Sequence, residues 1–254
     1  MTGLSYDQIG RSYAATRRAD SRLEAAIWKA LGSARSVINV GAGTGSYEPV
    51  HCEVTAVEPS AVMIAQRPAG AAPAVQAMAE QLPFADGSFD AAMTVLSDHH
   101  WRDRPRGLTE LRRVARNRVV LFNFNPGEAG LFWLTREYLP GFTELIPARY
   151  RSTDLWEREL RSIFGDLTLI PVPVPHDCTD GFYGAFWQRP DAYLDQAVRD
   201  GISVFAQIPA TQVKAATDVL RADLASGAWQ HRHAGLLERT ELHLGYYIAV
   251  AELD

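Results

Sequence analysis

Short apolar runs alternate along the chain with segments whose apolar residues recur every three or four positions. The runs at 37–40, 54–57, 75–78, 91–96 and 119–124 have the length of strands, and their continuity suits strands buried on both faces. Leu23, Ile27 and Leu31 share one helical face, as do Leu108, Leu111 and Val114. Ser21-Arg22-Leu23-Glu24 reads as a capping box that opens the first of these helices, and Gly32 as its stop. A short helix is expected just after the first strand, and another from Pro59-Ser60 through Ile64 that ends before Pro68. Beyond residue 124 the texture changes. Asn125-Pro126-Gly127-Glu128 is a cap, a first-turn proline and a capping glutamate, opening a helix with Leu131, Leu134 and Tyr138 that Pro140-Gly141 ends. A helix over 154–164 carries Trp156, Leu160 and Ile163 on one face. The run 167–174 contains Pro171 and Pro173, which suits an edge strand or an irregular exit. Helices over 190–206 and 209–225 and a last strand over 242–250 complete the pattern.

Strands alternating with helices predict a doubly wound α/β sheet. Its ligands belong in the crevice beyond the carboxyl ends of the strands. Residues 39–45, Glu58, residues 78–80 and residues 97–101 all fall at such ends.

Bulk properties narrow the partners. The chain has 254 residues, 47 % hydrophobic and 22 % charged, with a formal net charge of −5. That is the composition of a globular protein. Without a long basic run, nucleic acid is not the default partner. Arg102-Asp103-Arg104-Pro105-Arg106 is short, interrupted by acid, and reads as a solvated helix start. Cys52 and Cys178 lie far apart and suggest neither a metal motif nor a disulfide framework, so a reducing, cytoplasmic setting is expected. Nothing resembles a signal peptide or a membrane span. No coiled-coil repeat is present, and a monomer or weak homodimer is expected.

The chemistry concentrates in Asn39-Val40-Gly41-Ala42-Gly43-Thr44-Gly45. Glycines after a strand let the backbone take positive φ and let a ligand come close. Beside a helix N-terminus such a loop offers amide donors. Thirteen residues after Gly45, the second strand ends in Glu58-Pro59. Glycines at one strand tip and a carboxylate at the next form the pattern of a nucleoside-binding unit, with Glu58 for the ribose hydroxyls. The other reading of Glu58 is a surface turn acid.

In this order and spacing the motifs resemble the class I S-adenosylmethionine-dependent methyltransferases, particularly the type 11 family of small-molecule enzymes. Residues 37–45 look like its first motif. Val57-Glu58-Pro59-Ser60-Ala61-Val62-Met63 looks like the second, where the acid binds ribose and the methionine sits by adenine. Met78-Ala79-Glu80-Gln81-Leu82-Pro83-Phe84 followed by Gly87-Ser88-Phe89-Asp90 looks like the third. Leu96 through Trp101 and the helix bearing Leu108 look like the fourth strand's exit and the helix that follows. Tyr6, Asp7 and Tyr13 match a segment that the family folds over the cofactor. The resemblance implies a Rossmann-like, mostly parallel seven-stranded sheet with its last strand antiparallel, plus a helical substrate cap. It implies one domain over 1–254, with the segment 1–20 over the cofactor site and cap insertions at 125–165 and 175–208. It implies S-adenosyl-L-methionine as cofactor, contacted by Tyr13, Asn39, Gly41, Ala42, Gly43, Gly45, Glu58, Pro59, Met63, Met78, Ala79, Glu80 and Leu96. Two positions depart from the family. Asn39 stands where an acid is usual near the methionine part of the cofactor, and Met78 where an Asp usually binds the adenine amino group.

On the substrate side, His99, His100 and His176 are the candidate proton acceptors, because imidazole titrates near neutrality. His176 is followed by Asp177, a possible His-Asp pair. No metal site is expected, since methyl transfer from a sulfonium does not require one. The aromatics Phe132, Trp133, Tyr138, Phe182, Tyr183, Phe186 and Trp187 are available for a small-molecule pocket, mostly apolar and aromatic, or for the core of the cap. Gly181 and Gly184 suggest a hinged lid. The expected activity is methyl transfer to a small organic molecule. The alternatives are a non-methylating cyclase or rearrangement enzyme on the same fold, and a non-catalytic binding subunit.

Overall fold

A computed structural model of the chain describes residues 17–253. Helix α1 (Ser21–Leu31) leads into β1 (Ser36–Val40). Then follow β2 (Glu53–Val57), α2 (Ala61–Ala65), β3 (Ala74–Val75), β4 (Phe89–Val95), α3 (Arg104–Val114) and β5 (Ala115–Phe124). After β5 come α4 (Gly141–Leu145), α5 (Thr153–Phe164), β6 (Leu167–Pro171), β7 (Val174–Pro175), α6 (Gln196–Asp200) and α7 (Ala210–Ser226). Helices α8 (Ala228–Arg232) and α9 (Ala234–Leu237) precede β8 (Glu241–Leu242) and β9 (Tyr246–Glu252). The main sheet has seven strands in the order β3-β2-β1-β4-β5-β9-β6. The first five are parallel, and β9 runs antiparallel to both β5 and β6. This is the expected Rossmann-like sheet, and β6 takes the edge that its prolines suit.

Strand periodicity places the core on both faces of the sheet. Val120 and Phe122 of β5 and Tyr246, Ile248 and Val250 of β9 pack with Leu23, Ile27 and Leu31 of α1. The alternate residues Val119, Leu121, Ala249 and Ala251 pack with Leu108, Leu111 and Val114 of α3 and Trp156 and Leu160 of α5. Both expected helical faces are therefore buried.

Several local expectations are corrected. The cap of α1 is Asp20, whose side chain accepts from Arg22 N, rather than Ser21. No helix intervenes between Gly45 and β2, where only turns fit into the few residues available. Strand β3 has two residues, shorter than the run 75–78. After Asn125 the chain forms a 3-10 turn (Pro126–Leu131) and a π turn (Leu134–Tyr138), which leave Leu131 exposed. The stretch 190–206 breaks into a 3-10 turn (Pro190–Leu194), α6 and further turns, because Asp195 caps a new helix at Ala197 N. Leu242, expected to open the last strand, instead pairs with Val174 of β7 in a separate ribbon with Glu241. Among the described residues no helix is long and apolar enough to cross a membrane.

Candidate active site

The parallel register sets Val40 beside Val57, so the exits of β1 and β2 are neighbours. Gly41, Gly43 and Gly45 all have positive φ, at 72°, 53° and 95°. At Gly41 a Cβ would stand 1.8 Å from Ser97 Oγ, so the tip of β1 closes on the exit of β4 at a contact only glycine permits. The loop's amides are used within the chain. Gly41 N and Ala42 N both donate to Val57 O, at 2.8 and 3.0 Å, and Gly45 N donates to Ala42 O at 2.9 Å. Gly43 N donates to Glu58 Oε2 at 2.9 Å, while Ser60 N donates to Glu58 Oε1 at 3.0 Å. These donors therefore pin the loop to the β2 tip, which corrects the expectation of a helix-backed amide cradle. Glu58 is 6 % exposed, which removes the surface-acid reading.

Asn39 is buried at the end of β1. Its Nδ2 donates to Glu48 Oε1 at 3.1 Å, and its Oδ1 is buried without a partner. Glu48 is paired with Arg67 at 2.6 Å, and Arg67 also donates to Gly43 O. Sequence reasoning missed both Glu48 and Arg67, since neither lies in a motif. Met63 is buried, its Cε lying 3.4 Å from where a Gly43 Cβ would stand. Pro59 is exposed and its carbonyl accepts from Gln76. Met78 is exposed and Ala79 buried. Glu80 Oε1 accepts from Asp103 N at 3.0 Å, bracing the start of α3, and its Oε2 has no partner. Leu96 takes φ 47°, unusual for a bulky residue, at the exit of β4. Such strained positions concentrate at functional sites. Tyr13, with Tyr6 and Asp7, lies outside the described residues.

Beside this rim opens a cavity of about 200 Å³. Leu96, His99 and His100 line it at the strand tips, and Phe142, Tyr150, Trp156, Phe182 and Tyr183 line it from later in the chain. His99 and His100 sit on a 3-10 turn, Asp98–His100, with ring centroids 3.9 Å apart. Desolvation by the surrounding protein lowers the pKa of both imidazoles, most at the half-buried His100, while the His99 ring keeps a face to solvent. The Asp98 carboxylate opposes the shift at His99, where Arg104 and Arg17 add to it, and a charge on His99 or Arg17 disfavours protonation of His100. Both rings are therefore neutral bases near neutral pH. Asp98 is buried and accepts from Arg104 Nε at 2.7 Å and Asn123 Nδ2 at 3.0 Å. Arg104 also pairs with Glu159, which accepts from Tyr150 OH at 2.7 Å. The reading of Arg104 as solvated is thus corrected: two carboxylates, one of them far along the sequence, draw it inside.

His176 is not among the residues that line the cavity. It sits beside the β7–β8 ribbon, half exposed, with Nδ1 3.1 Å from Thr240 O. Asp177 hydrogen-bonds to Arg22 at 2.7 Å and stands 3.9 Å from His176 Nδ1, a loose pair away from the cavity. Of the seven named aromatics, only Phe182 and Tyr183 reach the cavity. Phe132, Trp133, Tyr138 and Trp187 are buried in the core on the α1 face of the sheet. The hinge expected at Gly181 and Gly184 is corrected as well. Both are buried, and a Cβ on Gly184 would stand 2.9 Å from the Tyr246 ring, so this glycine serves close packing. The same segment is fastened down by Asp180, which pairs with Arg17 at 2.7 Å and accepts from Tyr47 OH at 2.8 Å.

Residues 38–122 match the family model described as a methyltransferase domain. A methyltransferase assigned to an antibiotic biosynthesis pathway in Anabaena variabilis ATCC 29413 is 30 % identical, with 94 % of this chain and 99 % of that one covered, at a TM-score of 0.83. The YcgJ protein of Bacillus subtilis shares the fold at 16 % identity and TM-score 0.57, with 92 % and 98 % covered. The 4+2 cyclase SpnF does so at 15 % identity and TM-score 0.55, with 98 % and 94 % covered. No curated protein gives a significant match.

Proposed function

The chain belongs to the class I S-adenosylmethionine-dependent methyltransferases, and from that premise we propose that it methylates a small organic molecule held in the cavity beside His99 and His100. S-adenosyl-L-methionine is its cofactor, and when bound it supplies a methyl group on an electrophilic sulfonium. The rim fits such a ligand. Asn39 Oδ1 is a buried acceptor without a partner among the described residues, suited to an ammonium group, and Glu58 sets a carboxylate, the acceptor that ribose hydroxyls need, at the β2 tip. Gly41, Ala42, Gly43 and Gly45 keep the loop narrow. Met63, Ala79 and Leu96 supply apolar surface, with Pro59, Met78 and Glu80 at the margin.

The observation that carries the acceptor's placement is the cavity itself, which adjoins the β4 exit and has aromatic walls. The chain's tasks there are to hold a nucleophilic atom in line, exclude water and take a proton. Neutral His99 or His100 is suited to the last. His176 is set aside because it does not line this space. The Anabaena relative's place in antibiotic biosynthesis agrees with a small-molecule acceptor.

The test is mass spectrometry of purified chain incubated with the cofactor and a library of small aromatic acceptors. A product one methyl group heavier is expected, with demethylated cofactor released. A product of unchanged mass that still requires the cofactor would overturn methylation in favour of a rearrangement. The SpnF likeness, at 15 % identity, argues only for a shared fold.

A further inference from the structure

Granted the methyltransferase reading, the distribution of charge in the cavity narrows the acceptor. Four guanidinium groups line it, from Arg17, Arg102, Arg104 and Arg149, against one carboxylate, Asp98. Arg17 is paired with Asp180, and Arg104 with Asp98 and Glu159. Arg102 and Arg149 are exposed, and among the described residues neither has a carboxylate within ion-pair distance. Arg17 and Arg104 are thus each engaged by acids, and the positive charge without a carboxylate partner among the described residues belongs to Arg102 and Arg149.

Tyr150 organises this wall. The Arg149 guanidinium stands 4.8 Å over its ring and that of Arg104 stands 5.3 Å over the same ring. Arg104 is immobilised by its two carboxylates, yet its Nη2 is buried without a hydrogen-bond partner. A buried donor left unpaired costs more than a typical hydrogen bond returns, so such a group needs an explanation. An incoming acceptor oxygen supplies one. Trp101, Phe142, Trp156 and Phe182 give the same cavity apolar, aromatic surface.

We propose that the acceptor is an aromatic acid, its ring against this aromatic surface and its carboxylate received by Arg149, with Arg102 and Arg104 Nη2 beside it. A guanidinium meets a carboxylate in two parallel hydrogen bonds, a geometry that lysine does not reproduce. Arg104 is already neutralised by Asp98 and Glu159, so Arg149 decides the preference.

The experiment titrates the chain, with demethylated cofactor bound, with matched pairs: benzoate and benzamide, 4-hydroxybenzoate and its amide, indole-3-acetate and its amide. At least one acid is expected to bind about tenfold or more tightly than its amide, as a charge-assisted contact implies. Arg149→Met should abolish that preference while leaving the amide's affinity unchanged. Arg158→Met removes the same charge from an exposed face of α5 and should leave the preference intact. The proposal is overturned if no acid outbinds its amide, or if the preference survives Arg149→Met. Titration with the demethylated cofactor alone separates the two readings. Failure to bind it undoes the methyltransferase assignment to this site, whereas binding it with indifference to acids removes only the carboxylate.

Discussion

The glycine rim and the cavity beside it are close in space, but their contacts span very different lengths of chain. Gly43 meets Glu58 across 15 residues, and Asn39 meets Glu48 across 9. In the cavity wall Arg104 meets Glu159 across 55 residues, and Arg17 meets Asp180 across 163. The rim is shaped by backbone: positive φ, amide donors and a missing Cβ. The cavity is shaped by side chains from distant elements. Substitution in such a rim meets backbone strain or a steric clash, as at Gly41. A side-chain wall can be exchanged residue by residue, and under the proposed function the choice of acceptor would lie there.

The largest effect is expected at the histidines. If either imidazole takes the acceptor's proton, His99→Ala or His100→Ala should lower kcat by about 10²–10⁴-fold while cofactor affinity stays unchanged. Steady-state kinetics with calorimetric cofactor titration checks this, and two fully active variants would remove general-base catalysis from the cavity. The pH profile sharpens the point. The base acts as its neutral form, and desolvation with nearby arginines holds both imidazoles below the ordinary value of 6.5, the half-buried His100 furthest. The rate should therefore be level above about pH 6.5 and fall only on the acid side. That limb should disappear in the slow variant.

Gly41→Ala comes next. The added methyl meets Ser97 Oγ, and the residue must hold φ at 72°. A stability loss of about 2–4 kcal/mol is expected from overpacking plus left-handed strain, read by denaturant melts, with cofactor binding lost alongside. Near-native binding would show that the rim yields like the cavity wall. Glu58→Ala should weaken the demethylated cofactor by about 1.5–3 kcal/mol, the cost of deleting a charged acceptor, and should leave any acid-over-amide preference untouched. Unchanged affinity would take Glu58 out of the cofactor site. The smallest effect is expected at the fastening between the two regions. Tyr47→Phe removes the hydroxyl that meets Asp180 and should cost about 1–2 kcal/mol of stability, measured by thermal melts. A variant as stable as the wild type would show that the other ties of the segment, Arg17 to Asp180, Arg22 to Asp177 and Asp20 to Thr179, hold it without this hydroxyl.

The sequence by itself determined the alternating strands and helices, the glycine turn, and the placing of Glu58, Leu96 and the two histidines at strand exits. These follow from local conformational rules: apolar periodicity, glycine at positive φ, and the short distance from a strand to its own tip. Only the tertiary structure decided the rest. Nothing near Arg104 in sequence says that it is buried, because one of its carboxylates lies on a different helix. Glu48 and Arg67 carry no motif, since their roles depend on two turns folding against one loop. Gly184 reads as a hinge until the Tyr246 ring, on the last strand, fills the space where a Cβ would stand. The stretch 190–206 reads as one helix until Asp195 caps a new start. Local backbone preference is written in neighbouring residues. The burial of a charge is set by partners that chain folding brings from far away, and a linear pattern carries no term for them.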